Sequence, residues 1–82
     1  MSERLMMEGK KIGLDREAQA LRYRIEGLCT LIRGQLNTAL IPHHEDLQIS
    51  EAAAHMDELV MAQAELLSLI SQIRKLEAAL GR

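Results

Sequence analysis

Histidines and carboxylates in and after segment 43–46 are the residues of this chain whose types best suit metal chemistry. The segment reads His43-His44-Glu45-Asp46, and further potential ligands follow it: Glu51, His55 and Glu58. Imidazole and carboxylate groups suit divalent transition metals. However, the helical spacing places both later glutamates on an outward face, and the inward Glu-x-x-His pattern of di-iron bundles is absent. We interpret the segment as a solvated polar turn and predict neither a metal nor a cofactor.

Nucleophilic chemistry has no better basis in the sequence. A nucleophile needs a positioned base within hydrogen-bond reach, and no motif links the serine and threonine hydroxyls to one. The single cysteine, Cys29, has no partner in the chain for a disulfide. It lies at the edge of an apolar stripe and is interpreted as a small buried residue, the alternative being a thiolate stabilised by Arg22 and Arg33. We predict no catalytic residue and expect a protein that is not an enzyme.

Basic and aromatic residues in the first half of the chain are the candidates for RNA binding. They are Arg16, Arg22, Tyr23 and Arg24. Arginines can neutralise phosphates, and a tyrosine ring can stack on a base. Against this interpretation, Glu17 and Glu26 interleave with the arginines, and the chain has a net charge of −2. RNA binding is therefore the alternative hypothesis.

A heptad stripe of apolar residues predicts the helix that carries these side chains. It alternates steps of four and three residues: Leu14, Ala18, Leu21, Ile25, Leu28, Ile32, Gln35 and Ala39. Gln35 is its one polar member, and the stripe ends where Pro42 removes a backbone donor. We predict a helix over about 14–40. Residues 1–13 are predicted to form a frayed arm, because Gly9 and Gly13 disfavour a helix there.

A second heptad stripe follows a predicted turn over about 41–50. Ser50 is the expected N-cap, since its hydroxyl can accept a hydrogen bond from a first-turn amide. The stripe reads Ala52, Met56, Leu59, Gln63, Leu66, Ile70, Ile73, Glu77 and Leu80. It predicts a helix over about 51–80, similar in length to the first. The expected fold over residues 14–82 is an all-α antiparallel helical hairpin.

The second helix carries more apolar surface than one neighbour can cover. Val60 and Leu67 flank its stripe on one side, and Ala62, Leu69 and Leu76 flank it on the other. A face that wide needs two neighbours, and the simplest closed solution is a homodimer in which two hairpins form a four-helix bundle. The predicted dimer interface comprises Met56, Leu59, Val60, Leu66, Leu67, Leu69, Ile70, Ile73 and Leu76. Charge supports pairing of unlike helices, because residues 1–41 have a net charge of +2 and residues 42–82 of −4.

Small residues recur every seven positions along the first helix. They are Gly13, Ala20, Gly27 and Gly34. Such a column can be a groove for close packing with another helix or a ligand, or it can be ordinary exposed surface. The sequence is compatible with both interpretations, a packing groove and an exposed surface.

These features predict a small interaction or assembly module that acts through helix packing. Its expected partner is a second copy of itself, with another helical protein as the alternative, and no membrane contact is predicted. With no long apolar stretch and only one cysteine, we expect a cytoplasmic protein. The predicted hairpin dimer resembles the architecture of the plasmid RNA-binding protein Rop, although no residue motif is shared. That resemblance implies that such a bundle can bind RNA, and it underlies the alternative function of a Rop-like regulator.

Overall fold

The computed structural model describes residues 2–81 as two long helices that pack against each other. Helix α1 spans Glu3–Gln35, a 3₁₀ turn spans His44–Asp46, and helix α2 spans Ile49–Ala79. The hairpin measures 63 × 18 × 17 Å. No strand occurs within this described range. The predicted all-α hairpin is confirmed; Met1 and Arg82, which belong to the predicted arm and hairpin, lie outside the described residues.

Helix α1 begins at Glu3, so the structure differs from the prediction of a frayed arm over residues 1–13. The hydroxyl of Ser2 caps the helix by accepting a hydrogen bond from the backbone N–H of Arg4 at 3.2 Å. The Arg4 guanidinium then donates to the backbone carbonyl of Leu80 at 3.0 Å. A cation is favourable near the carbonyl end of a helix, so this contact joins the start of α1 to the end of α2.

Helix α1 also ends earlier than predicted, at Gln35 rather than near residue 40. The side-chain oxygen of Asn37 accepts a hydrogen bond from the N–H of Ala39, and its backbone carbonyl accepts one from Ile41. Asparagine commonly forms such local turns in competition with the helix. Asn37 therefore gives the backbone other hydrogen bonds before Pro42 is reached, and Ala39 lies exposed in the turn.

Helix α2 begins with Gln48 as its N-cap, so Ser50 lies inside the first turn rather than capping it. The N–H of Gln48 donates to the backbone carbonyl of Gln35 at 3.2 Å, and its own carbonyl accepts from Ala52 at 2.9 Å. The Gln48 side chain makes no capping hydrogen bond. The start of α2 is thus fixed by a backbone contact with the end of α1.

The α1 side of the core uses the heptad stripe that the sequence shows. Its buried members are Leu14, Ala18, Leu21, Leu28, Ile32 and Gln35. Ile25 is half-buried and packs against the same cluster. The stripe continues towards the N-terminus through Met7 and Lys11, which are also half-buried. Residues within 1–13 therefore take part in the helix pairing.

The α2 side of the core differs from the predicted stripe because the helix is rotated about its axis. Ala62 and Leu69, predicted as flanking residues, are buried against α1. Met56 and Gln63, predicted in the seam, are exposed. The rotation keeps the amide of Gln63 in water and brings apolar side chains into the seam instead, which avoids the cost of burying an unpaired polar group.

Candidate interaction face

A second apolar side of α2 remains open to solvent. Met56, Val60 and Leu67 are 46%, 63% and 60% exposed. These residues follow one another at steps of three or four when Gln63 and Ile70 are included, so they form a straight stripe along the helix. We call this surface, together with the adjoining edge of α1, the open face. It comprises Ile25, Cys29, Met56, Val60, Gln63, Leu67 and Ile70.

Two shallow grooves follow the open face. The first, of about 350 Å³, lies between the helices and is lined by Ile25, Cys29, Met56, Leu59, Val60, Gln63 and Leu66. The second, of about 410 Å³, lies further along α2 and is lined by Leu67, Ile70, Ser71, Arg74, Lys75 and Ala78. Both belong to the same side of the hairpin, because Leu67 and Ile70 continue the stripe that begins at Met56. The open face therefore extends along most of α2.

Few charges interrupt this part of α2. Between Glu58 and Arg74 the only charged residue is Glu65. The neighbouring edge of α1 is different, because Glu26 and Arg33 line a groove of about 330 Å³ beside Cys29. The apolar character of the open face thus comes mainly from α2.

The structure divides the predicted dimer interface into two groups. One group contributes to the core of the hairpin itself: Leu69 is buried, and Leu66, Ile73 and Leu76 pack against the core. The other group stays accessible and contains Met56, Val60 and Leu67, with Ile70 half-buried. Leu59 is half-buried between the two groups. One neighbour, α1, therefore covers one apolar side of α2 and leaves the other uncovered.

The column of small residues on α1 is exposed along its whole length. It comprises Gly13, Ala20, Gly27 and Gly34. A Cβ atom added to any of its three glycines would meet nothing within 4 Å outside the local backbone. Helix α2 makes no use of the column, so within the described hairpin no close packing requires these glycines.

The predicted RNA-contact residues are all exposed on α1, but they do not share one face. Tyr23 is 68% exposed, and Arg16 lies seven residues before it on the same side of the helix. Arg22 and Arg24 are two residues apart, which directs them to opposite flanks. The side chains are therefore distributed around the helix and do not form one compact basic patch.

The polar turn and its neighbours do not converge. His43, His44, Glu45 and Asp46 are exposed. Across residues 2–81, no group of three or more histidine, cysteine, aspartate or glutamate side chains is arranged to hold a metal ion. His55 points elsewhere, because its ring Nδ1 donates to the side-chain oxygen of buried Gln35 at 3.1 Å.

Two contacts that hold the hairpin together were missed by sequence reasoning. The Gln35–His55 hydrogen bond joins the helices near the turn, and the Arg4–Leu80 bond joins them at the opposite end. The one available signal for the first was Gln35 itself, a polar residue within an apolar stripe. Nothing in the sequence indicated that its partner would be His55, twenty residues away.

A comparison with protein-family models, curated proteins and solved structures found no match for the chain. Within residues 2–81, neither helix has the length and apolar composition that crossing a membrane requires.

Proposed function

We propose that the chain is a small, non-enzymatic assembly module of the cytoplasm whose open face binds a second copy of itself. The product is a homodimeric four-helix bundle. The observation that carries this proposal is the exposure of Met56, Val60 and Leu67 on a helix whose other apolar side already packs against α1. A helix that is apolar on two sides is characteristic of a position with two neighbours.

The exposed area of the lone hairpin supports the same proposal. The chain exposes 6134 Å² of surface, whereas a compact monomer of its mass exposes about 4,900 Å². A stable protein interface of standard size covers about 800 Å² on each partner. The excess of about 1,200 Å² is thus enough for an interface of the size found in stable dimers.

Sedimentation equilibrium at micromolar concentration tests the proposal. We expect a dimer of about twice the 9.2 kDa chain mass. Leu67→Lys should dissociate it, because a charge placed on the open face loses its water on association. A well-folded monomeric wild type would contradict the proposal.

Met61→Lys is the matched control for that substitution. Met61 is also an exposed apolar residue of α2, at 74%, but it lies outside the open face. We expect this variant to remain dimeric. If both lysine variants dissociate equally, the effect comes from a general loss of apolar surface and the open face is not the interface.

RNA binding is the second candidate function, and the exposure of Arg16, Arg22, Tyr23 and Arg24 on α1 favours it. Exposed arginines are available to phosphates, and Tyr23 is available for stacking on a base. RNA affinity measured over a range of salt concentrations separates this candidate from a pure assembly module.

A further inference from the structure

We infer that the two copies associate with α2 against the partner's α2 in antiparallel orientation, with Asp57 of each copy beside Lys75 of the other. This inference rests on the proposed self-association and specifies its geometry. A twofold axis allows two ways to stack the open faces of two hairpins. Either α2 lies against the partner's α2, running in the opposite direction, or α2 lies against the partner's α1.

Apolar matching favours the first arrangement. The stripe of α2 finds an equally apolar surface in the stripe of another α2. The edge of α1 on the same side carries Glu26 and Arg33 beside Cys29, with Arg22 two turns earlier on the same line. Placing the α2 stripe on this charged edge would cover more charge with less apolar contact. The α2-on-α2 arrangement therefore pairs apolar surface with apolar surface.

The spacing of the stripe is compatible with reversal of direction. The α2 positions of the open face, 56, 60, 63, 67 and 70, are followed by Arg74, and these six positions are separated by four, three, four, three and four residues. This series reads the same from either end. An antiparallel pair centred between Gln63 and Leu67 consequently sets Val60 opposite the partner's Ile70. It sets Arg74 opposite the partner's Met56 at each end of the interface, where the long side chain of this exposed arginine can keep its charged group in water.

Charge at the two ends of α2 agrees with this orientation. Asp57 and Lys75 are both exposed and lie 18 residues apart, which is five full helical turns, so they share one flank of the open face. A twofold axis perpendicular to the helices brings equal flanks together. Asp57 then lies within about 3 Å, measured along the helix axis, of the partner's Lys75. Two opposite-charge pairs form at the rim, one at each end of the interface.

Cysteine crosslinking tests the geometry in a Cys29→Ser background. Two single-cysteine chains, Val60→Cys and Ile70→Cys, should crosslink when mixed and oxidised. Val60→Cys alone should not, because the two copies of that position are about 15 Å apart along the axis. Crosslinking of Val60→Cys with Ile25→Cys would show that α2 lies on the partner's α1, and would overturn the inference while leaving self-association intact.

Charge reversal provides a second, independent measurement. Asp57→Lys and Lys75→Asp should each weaken homodimer formation by about 2- to 30-fold, and a mixture of the two variants should form the heterodimer in preference. Lys10→Asp makes the same change at an exposed position of α1 and should leave dimerisation unchanged. Equal affinities for all three variants would overturn the proposed pairing. A wild type that sediments as a monomer would instead contradict the self-association on which the pairing rests. Capture of a different helical protein would show that the open face binds that protein and not a second copy of the chain.

Discussion

At the scale of single residues, Gln35 shows how a polar side chain can contribute to an apolar seam. It is only 6% exposed, yet its side-chain oxygen accepts a hydrogen bond from the His55 ring and its backbone carbonyl accepts one from the N–H of Gln48. Buried polar groups are tolerated when such partners satisfy them. Gln35 therefore fixes the position of α2 relative to α1 next to the turn.

A double-mutant cycle with Gln35→Ala and His55→Ala should measure the energy of this contact. We expect a coupling free energy of about 0.5–1.5 kcal/mol, the usual net value of an intramolecular hydrogen bond. Chemical denaturation at one fixed protein concentration gives it, since the proposed association would also contribute to the measured stability. His44→Ala, in the exposed turn, is the control and should show no coupling to Gln35→Ala. A coupling near zero for the His55 pair would mean that water replaces the contact without loss.

At the scale of helices, glycines in different backbone conformations should respond oppositely to the same substitution. Gly27 lies inside α1 with open space at its Cβ position, so Gly27→Ala should raise the stability by about 1 kcal/mol. Gly81 follows α2 with a φ of 78°, a conformation that disfavours a side chain. Gly81→Ala should lower the stability, by up to about 1 kcal/mol.

Thermal melting of the two variants at the wild-type concentration checks both signs. Sedimentation of Gly27→Ala then shows whether assembly is preserved. If this variant melts lower or dissociates, the column of small residues packs against a partner after all. Gly27→Leu would enlarge that effect, because a leucine side chain would fill any groove there.

At the scale of the whole molecule, shape and charge favour association through apolar surface. The radius of gyration is 18.4 Å, whereas a compact chain of 82 residues has a value of about 12 Å. The net charge of −2 opposes binding to a polyanion. For an elongated hairpin with an uncovered apolar side, burying that side against a second hairpin is more favourable than binding a phosphate backbone.

A titration with structured RNA should consequently show no binding at about 50 mM salt, the condition that most favours ionic contacts. The triple variant Arg16→Gln, Arg22→Gln, Arg24→Gln should behave like the wild type. Fluorescence anisotropy of labelled RNA provides the measurement. Wild-type binding that weakens steeply towards 200 mM salt, with a shallower slope for the triple variant, would favour the RNA function instead.

The sequence alone determined the two helices and the seam of α1. Both follow from local patterns, because apolar residues at steps of three and four produce one helical stripe wherever the rest of the chain lies. In α1 that stripe is narrow, so its buried side, from Leu14 to Gln35, could be read directly from the residues. The apolar excess of α2 was also visible, because it is a property of composition and spacing.

Only the tertiary structure decided which side of α2 faces α1 and how far α1 extends. Because α2 is apolar on two sides, its periodicity fits more than one rotation, and packing against α1 selected the one that buries Ala62 and Leu69 and leaves Gln63 in water. Helix α1 begins at Glu3, and the neighbouring Arg4 donates a hydrogen bond to the carbonyl of Leu80, which lies 76 residues away in the sequence. Contacts between residues so distant along the chain leave no local pattern, so they are fixed only when the two helices pack.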